Sequence, residues 1–326
     1  MPTLEVATES WPISGGFTIS RGSKTSAEVV VVTLREGPHV GRGECVPYPR
    51  YEETVPHVVA ALEAVRPAIE KGIRRGDVPG LLTPHAARNA LDCALWDLEA
   101  KHSGTPVWKL AGLDPPRPLV TAYTLSLDSP EAMAHAAAQA SSRPLLKLKL
   151  GRDGDAGRLR LVRKAAPKSR LIVDANEGWT AGNVAGMLAL CAEVGVELVE
   201  QPLPAANDDA LDGLAREVIV CADESAHDRR GLDRLIGKYD ALNIKLDKTG
   251  GLTEALALAK EAQNRGFRIM VGSMLATSLA MAPAMLLGQF ADVVDLDGPL
   301  LLRDDRQPGI AYSGSTMWPP PPELWG

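Results

Sequence analysis

The stretch 170-RLIVDANEGWTAGNVAGMLALCAEVGVELVEQPLP-204 contains one complete repeat of the architecture. It opens with an apolar run at 170–174 and closes with a second apolar run at 197–201, and the chain between them is long enough for a helix. Continuous apolar strands that alternate with helices are typical of parallel strands covered on both faces. The stretch therefore predicts an α/β fold built on a parallel sheet.

The same strand–helix repeat continues on both sides of this stretch. Helical connections such as 253–265 separate the apolar runs, and no G-x-G-x-x-G turn follows an early strand, which disfavours a dinucleotide-binding fold. The predicted strands are 120–126, 145–150, 170–174, 197–201, 218–223, 241–246, 268–273 and 291–296. Eight such units predict a TIM-like barrel over residues 119–298.

The first 115 residues follow a different pattern, in which strands precede separate helices. The predicted elements are strands at 18–21 and 28–34, a loop at 42–49 and helices at 55–70 and 83–102. This order predicts an α+β domain over residues 1–115, with a proline-rich boundary before the barrel. The tail 299–326 is also rich in proline and cannot form a barrel helix, so we expect it to fold back on the N-terminal domain.

The composition of the 326 residues narrows the class of protein. A net charge of −6 without a basic block argues against nucleic acid as a partner, and no apolar stretch is long enough to span a membrane. The N-terminus is acidic where a signal peptide would be basic, so we expect a cytoplasmic protein. Without a C-x-x-C pair, free buried thiols are favoured over disulfides or structural zinc for Cys45, Cys93, Cys191 and Cys221.

Acidic residues lie at the ends of three consecutive predicted strands: Asp174, Glu200 and Asp223. Taken singly, each is more typical of a turn or a helix cap. In a barrel, however, the C-terminal ends of the strands meet at one face. Three carboxylates buried there would repel each other, with no other cation to offset them. Three oxygen ligands suit Mg²⁺, and the lack of His or Cys at these positions disfavours zinc.

Lysines on two predicted strands are expected to enter the same cavity, although a single strand lysine is more often solvated. Lys147 and Lys149 point to one side of the second strand, and Lys245 lies on the sixth strand, across the barrel. A lysine crowded by cations and a metal loses its proton more readily and can act as a base. Epimerisation needs two such bases on opposite faces of one carbon, and a metal to stabilise the enediolate.

Five motifs carry a resemblance to a known family: KLKLG (147–151), VDANEGW (173–179), VEQPLP (199–204), ADES (222–225) and NIKLDKTGG (243–251). Over essentially its whole length the chain resembles the muconate-lactonizing enzyme subgroup of the enolase superfamily. The resemblance implies a (β/α)7β barrel with an N-terminal capping domain, and one Mg²⁺ per chain on the three strand-end carboxylates. It implies Lys149 and Lys245 as the acid/base pair and Lys147 as a cation beside the substrate carboxylate. Lys248 falls outside the catalytic position and is interpreted as a loop residue.

Three further segments, TAYTLSLD (121–128), ISRGSKT (19–25) and DLDGP (295–299), resemble the dipeptide epimerases. In that family an Asp-x-Asp pair after the eighth strand binds the free ammonium of the dipeptide. This implies the same role for Asp295 and Asp297, with a simple turn cap as the alternative. Arg21, in a capping-domain loop, would be free to pair with an acidic substrate side chain, and Thr124 would contact the peptide bond region. The implied substrate is L-Ala-L-Glu or L-Ala-D-Glu, a peptide of cell wall metabolism.

Other functions use the same residues or the same fold. A cycloisomerase and an o-succinylbenzoate synthase are alternatives that Asp295-Leu296-Asp297 disfavours, because neither substrate offers an ammonium group. An N-acylamino acid racemase is a third alternative within the superfamily. A catalytically idle barrel that serves as a binding protein is disfavoured by the intact set of carboxylates and lysines. A Schiff-base aldolase acting through Lys245 would not need the carboxylates, and a homo-oligomer is left open.

Overall fold

The N-terminal part of the chain forms an antiparallel sheet covered on one face by helices. The computed structural model describes residues 2–326. The elements are β1 (Thr3–Ile19), β2 (Gly22–Glu36), β3 (His39–Cys45), α1 (Val55–Glu70), α2 (Val78–Leu81), α3 (Ala86–Ser103) and α4 (Val107–Leu110). The strands lie in the order β1-β2-β3. Apolar residues from one face of the sheet form a separate core with α1 and α3.

This sheet differs from the prediction in two ways, although α1 coincides with the predicted helix 55–70. First, β1 and β2 are much longer than the predicted runs, because polar residues on the exposed face mask the strand pattern. Second, the predicted loop 42–49 is wrong over residues 42–45, which belong to β3. Gly43 does not make a turn. A Cβ there would lie 2.1 Å from the Ala90 carbonyl oxygen, so glycine allows α3 to pack closely on the sheet.

Eight parallel strands form the second part of the chain, with helices on the outside. After a short strand outside the barrel, β4 (Leu119–Val120), the elements are β5 (Tyr123–Leu125), α5 (Pro130–Gln139), β6 (Leu145–Lys149), α6 (Asp155–Ala165), β7 (Arg170–Asp174), α7 (Val184–Glu193), β8 (Val196–Glu200), β9 (Ile219–Ala222), β10 (Ala241–Ile244), α8 (Leu246–Thr249), α9 (Leu252–Asn264), β11 (Arg268–Gly272), α10 (Ser278–Gly288), β12 (Val293–Asp295) and α11 (Gly298–Leu301). The N–H of Ala122, directly before β5, donates a 2.8 Å hydrogen bond to the carbonyl of Val294 in β12. This bond connects the first barrel strand to the last. The predicted TIM-like barrel of eight strands is confirmed.

Two of the barrel connections contain short 3₁₀ turns instead of an α-helix. Ala205–Asn207 and Asp209–Leu211 lie between β8 and β9, and Arg229–Arg234 lies between β9 and β10. The first connection contains Pro202, Pro204 and several Asp residues, which favour turns over helix interiors. The regular alternation of strands and α-helices that the sequence predicts is therefore interrupted beside β9.

The tail after α11 contacts both the barrel and the N-terminal sheet. β13 (Tyr312–Ser313) and β14 (Thr316–Met317) form a hairpin that pairs with β4. The N–H of Arg303 donates to the Pro12 carbonyl at 2.8 Å. The indole N–H of Trp325 donates to the Cys93 carbonyl at 3.0 Å. The tail therefore links the two parts of the chain.

A large apolar core lies between the barrel strands and their helices. The four cysteines are free and buried, as the sequence predicts. Within residues 2–326, no helix has both the length and the apolar character needed to cross a membrane.

Candidate active site

The interior of the barrel changes from apolar to ionisable along the strands. Where the strands begin, one interior layer is apolar: Ala122, Leu145, Ile172, Leu198, Cys221, Ala241, Met270 and Val293. Alternate residues of a strand face the same side, so the next interior layer lies two residues further along. That layer includes Lys147, Asp174, Glu200 and Asp295, all of them buried. Strand alternation alone thus brings ionisable groups from several strands into one cavity.

Three carboxylates converge at this level of the barrel. Asp174 ends β7, Glu200 ends β8 and Asp223 directly follows β9. One oxygen from each residue lies within 4.8 Å of the other two, and all three side chains are buried. The structure therefore brings together the three predicted metal ligands. Oxygen donors in this arrangement fit a small hard cation such as Mg²⁺, which binds carboxylate oxygens at about 2.0–2.1 Å.

Lys147 lies between the carboxylates and the end of the last strand. Its ammonium is 2.5 Å from Oε2 of Glu200, oriented so that this close contact is not a hydrogen bond. It donates a 2.7 Å hydrogen bond to Oδ2 of Asp295. Lys147 is only 1% exposed. It therefore acts as a fully buried cation that contacts both the carboxylate cluster and the Asp-x-Asp segment.

The two predicted acid/base lysines contact different carboxylates. Lys149 donates to Oδ2 of Asp174 at 2.6 Å, and Lys245 donates to Oδ2 of Asp223 at 2.5 Å. Lys149 ends β6 and Lys245 follows β10, so the two ammonium groups enter from separate strands. The expectation that no other cation offsets the carboxylates is wrong, because these ammonium groups pair with them.

The cluster shifts the pKa values of its members in opposite directions. Burial alone would lower the pKa of Lys245, but Asp223 and Glu200 outweigh it and hold that pKa well above its usual range. Burial, and then the negative charge of Asp174, raises the pKa of Glu200 to about 7. A lysine with so high a pKa stays protonated. It can act as a base only when another cation takes up the charge of the carboxylates.

Lys248 does not lie in a loop, in contrast to the prediction from the sequence. It lies in α8, directly after β10, and is fully buried. Its ammonium donates to Oδ1 of Asp223 at 2.5 Å, to the Asp223 carbonyl at 2.6 Å and to the Asn243 carbonyl at 2.9 Å. The available signal in the sequence is its spacing from Lys245. One turn of helix after the strand returns Lys248 to the same carboxylate.

Asp295 and Asp297 lie together with Thr124 at one side of the cavity. Oδ2 of Asp297 accepts a 2.6 Å hydrogen bond from the Thr124 N–H. Oδ1 of Asp295 is buried without a hydrogen-bond partner in residues 2–326, so a ligand donor can use it. The three residues line a small cavity of about 30 Å³, together with Phe17 and Lys149. Two carboxylates and the ammonium of Lys149 therefore meet in this small corner.

Arg21 reaches the barrel mouth from the turn between β1 and β2, but its guanidinium is already paired. It donates to Oε1 of Glu224 at 2.7 Å and to the Asn176 carbonyl at 2.9 Å. Oε2 of Glu177 lies 3.2 Å from the same group. The expectation that Arg21 is free to pair with a ligand is therefore wrong. A substrate carboxylate would have to share this guanidinium with Glu224.

Lys24 is a second cation at the barrel mouth that sequence reasoning missed. It lines a cavity of about 450 Å³ between the N-terminal sheet and the barrel, into which Lys149 and Lys245 also open. Its ammonium lies 5.5 Å from the centre of the Tyr48 ring. Lys24 is exposed overall, but partial burial in this cavity lowers its pKa, and Glu28 partly offsets the effect. A lysine near the start of an exposed strand usually extends into solvent, so its position in the sequence carries no functional signal.

The barrel, the sheet beside its mouth and the carboxylate–lysine cavity define a known class of protein. Residues 131–320 match the family described as "Enolase C-terminal domain-like". Residues 1–112 match "Mandelate racemase / muconate lactonizing enzyme, N-terminal domain". The chain therefore belongs to the enolase superfamily, as its five motifs predict.

Similar proteins include an epimerase and a racemase. L-Ala-D/L-Glu epimerase from Escherichia coli (strain K12) is 46% identical over 316 residues, which cover 96% of this chain and 98% of the relative. N-acetyl-D-glutamate racemase from Pseudoalteromonas sp is 41% identical over 300 residues, covering 91% and 95%. A crystal structure of an enolase family member from Agrobacterium tumefaciens, with homology to dipeptide epimerases, is 52% identical with a TM-score of 0.98 and covers 100% of both chains. That structure contains bound sodium and L-Ala-L-Glu.

Proposed function

We propose that the protein is a dipeptide epimerase that interconverts L-Ala-L-Glu and L-Ala-D-Glu. The observation that carries the proposal is the position of Lys149, which lines both the larger cavity and the small acidic corner beside Asp295 and Asp297. The proton-transfer groups and a site for an ammonium group therefore lie side by side, with Lys149 lining both cavities. The similarity to the Escherichia coli epimerase, and to the Agrobacterium tumefaciens structure that contains L-Ala-L-Glu, supports the same function.

Asp174, Glu200 and Asp223 would hold one Mg²⁺ per chain. Their closely spaced, buried oxygens fit a hard divalent ion, and no His or Cys of residues 2–326 joins the cluster to favour zinc. When bound, the ion would take up the charge of these carboxylates and stabilise the negative charge that develops on the reacting carboxylate of the substrate.

Lys149 and Lys245 would carry the two proton transfers. The neutral lysine takes the α-proton of the C-terminal residue, and the protonated lysine on the other side gives a proton to the opposite face. The Cα–H bond is broken on one face and re-formed on the other, so the carbon is inverted and no other bond changes. The contacts of the two lysines with different carboxylates support their placement on two sides of the substrate. Lys147, as a buried cation, would hold the substrate carboxylate.

The remaining charges would recognise the two ends of the dipeptide. Asp295 and Asp297 would bind the free ammonium group, with Thr124 holding Asp297 in place and close to the peptide bond. Arg21 would pair with the side-chain carboxylate of the glutamate, with Lys24 as a second cation in the same cavity.

A second candidate is racemisation of an N-acylated glutamate. The observation that favours it is the 41% identity to N-acetyl-D-glutamate racemase. Such a substrate uses the same carboxylates and lysines but carries no ammonium group, so it would leave Oδ1 of Asp295 without a hydrogen-bond donor. Leaving a buried carboxylate oxygen without a hydrogen bond is costly, and this disfavours the racemase relative to the epimerase.

Turnover of both substrates by the purified, Mg²⁺-loaded protein tests this choice. Chiral chromatography can measure kcat/KM for L-Ala-L-Glu and for N-acetyl-D-glutamate under the same conditions, with Lys245→Ala as the control for contaminating enzymes. The proposal requires the dipeptide to be the better substrate. A higher kcat/KM for N-acetyl-D-glutamate would assign the racemase activity instead.

The domain organisation and the location in the cell are also proposals. We propose a capping domain (1–115), a barrel (119–298) and a tail (299–326) that folds back on the capping domain. The hydrogen bonds of Arg303 and Trp325 to that domain support the division. We further propose that the protein acts in the cytoplasm on peptides derived from the cell wall, in keeping with its four free thiols.

A further inference from the structure

We propose that buried hydrogen-bond donors limit each of the three carboxylates to one metal-binding oxygen, and that this selects Mg²⁺ over Ca²⁺. The inference rests on the proposed function, because it concerns the ion that Asp174, Glu200 and Asp223 would hold. It assigns a role to two residues outside the ligand set, Asn243 and Lys248. Both are positioning residues, since they act through the carboxylates and do not bind the ion themselves.

Each carboxylate has one oxygen held by the protein. The bonds are Asn176 N to Asp174 Oδ1 (2.9 Å), Asn243 Nδ2 to Glu200 Oε1 (2.6 Å) and Lys248 Nζ to Asp223 Oδ1 (2.5 Å). The second oxygen of each carboxylate faces a cavity lysine, namely Lys149, Lys147 and Lys245 in the same order. Oε1 of Glu200 also lies 3.7 Å from the Lys245 ammonium, but its hydrogen bond is with Asn243. Each carboxylate therefore has one oxygen hydrogen-bonded by a donor behind the cluster and a second oxygen facing a cavity lysine.

The side chains of Asn243 and Lys248 have little freedom to move away from the carboxylate oxygens to which they donate. Asn243 and Lys248 are buried, and Lys248 also donates to the carbonyls of Asp223 and Asn243, so all three of its hydrogens are used. Gly272 leaves the room that Asn243 needs, because a Cβ there would lie 2.6 Å from Oδ1 of Asn243. For Asp223 to bind an ion through both oxygens, it would have to leave Lys248 as an unpaired buried charge, which is strongly unfavourable.

The number of oxygens that each carboxylate offers distinguishes the two ions. Mg²⁺ requires near-octahedral coordination by about six ligands at about 2.0–2.1 Å, whereas Ca²⁺ takes about six to eight and readily uses both oxygens of one carboxylate. A site restricted to three single oxygens satisfies Mg²⁺ together with water or substrate. The same restriction denies Ca²⁺ the bidentate contacts that would favour it.

Calorimetric titration of the metal-stripped full-length protein with Mg²⁺ and with Ca²⁺ tests the inference without any turnover. The variants are Lys248→Met, Asn243→Ala and, as a control, Lys260→Met, which removes an exposed lysine from α9. The ratio of the Kd for Ca²⁺ to the Kd for Mg²⁺ should fall by about tenfold in Lys248→Met and in Asn243→Ala, the lower end of what residues behind metal ligands usually contribute. The ratio should stay unchanged in Lys260→Met.

The ratio separates the proposed role from a merely structural one. General loosening of the site, or the loss of one positive charge, acts alike on two divalent ions, so an equal change in both Kd values would overturn the inference. Asn243→Ala removes the donor that holds Oε1 of Glu200 and leaves no buried charge unpaired. This variant decides the matter if Lys248→Met does not fold. If wild type bound Mg²⁺ no better than Asp174→Asn, the metal site of the proposed function would fall as well.

Discussion

The guanidinium of Arg21 donates a 2.7 Å hydrogen bond to Glu224, the residue directly after Asp223. This bond connects the turn between β1 and β2 to the carboxylate cluster across the mouth of the barrel. A substrate carboxylate that binds Arg21 must therefore compete with Glu224. Loss of Arg21 should also disturb the loop that carries Asp223. The contribution of Arg21 to specificity therefore has to be measured as the ratio of the kcat/KM values for two substrates.

Arg21→Met should lower the ratio of kcat/KM for Ala-Glu to kcat/KM for Ala-Leu by a factor of about 30 or more. Removing one partner of a hydrogen-bonded charge pair in a closed site usually costs about 2–5 kcal/mol. Lys24→Met removes the same charge from the same cavity and is the matched control, with a smaller expected fall. If both substrates lose the same factor in Arg21→Met, Arg21 only supports the loop. A fall confined to Lys24→Met would transfer the recognition of glutamate to Lys24.

Binding of the dipeptide ammonium should depend on pH through Asp297. Burial, and then the charge of Asp295, raises the pKa of Asp297 to about 7. Below that pH the carboxyl gains a proton and loses the charge that attracts the ammonium group. The Kd of Ala-Glu for the inactive Lys245→Ala variant should therefore rise as the pH falls below 7, by up to about tenfold per unit.

N-acetyl-Ala-Glu is the control for this pH dependence, because it has no ammonium group to lose its partner. It should bind the same Lys245→Ala variant at least about 30-fold more weakly than Ala-Glu does at pH 8, with little change down to pH 6. Asp297→Asn should remove the dependence for Ala-Glu as well. Equal affinity for the free and acetylated dipeptides at pH 8 would show that Asp295 and Asp297 do not bind the ammonium group of the substrate.

The two lysines should fail in complementary ways when they are replaced. Lys245→Ala should stop epimerisation and still exchange the α-proton of one epimer with solvent. Lys149→Ala should do the same for the other epimer, because each lysine serves one face of the α-carbon. Thermal unfolding of both variants checks that the cavities left by the buried side chains do not unfold the barrel. Interconversion of both epimers at the wild-type rate by either variant would refute the two-base assignment.

Removal of the metal should abolish activity without unfolding the protein. The carboxylates of the cluster pair with Lys147, Lys149 and Lys245, so the buried charges stay compensated when no ion is present. EDTA should therefore eliminate turnover and leave the far-ultraviolet circular dichroism unchanged, and added Mg²⁺ should restore turnover. Full activity in a thoroughly stripped sample would contradict a metal-dependent mechanism.

The barrel and its carboxylates could be predicted because both follow from local patterns. Apolar runs mark parallel strands, and a side chain two residues beyond an interior apolar residue must enter the same space, which places Asp174 and Lys147 in the cavity. The same local rules failed at Gly43, where glycine serves close helix packing and not a turn.

Contacts between distant segments could not be predicted in this way. The pairing of Arg21 with Glu224 depends on how the N-terminal sheet is placed over the barrel, which no local pattern encodes. The family pattern places Lys248 outside the catalytic position, although one helical turn returns its ammonium to Asp223. Long side chains that reach back across a strand end are the residues most easily missed from sequence.

The exchange of the glutamate α-proton of L-Ala-L-Glu in D₂O tests the central claim most directly. Proton NMR of the Mg²⁺-loaded protein with this dipeptide should show loss of the glutamate α-proton signal together with the appearance of deuterated L-Ala-D-Glu, while the alanine α-proton is retained. The double variant, with both Lys149→Ala and Lys245→Ala, should show neither change. Retention of the glutamate α-proton by the wild-type protein, under conditions in which N-acetylglutamate exchanges, would contradict the assignment as a dipeptide epimerase.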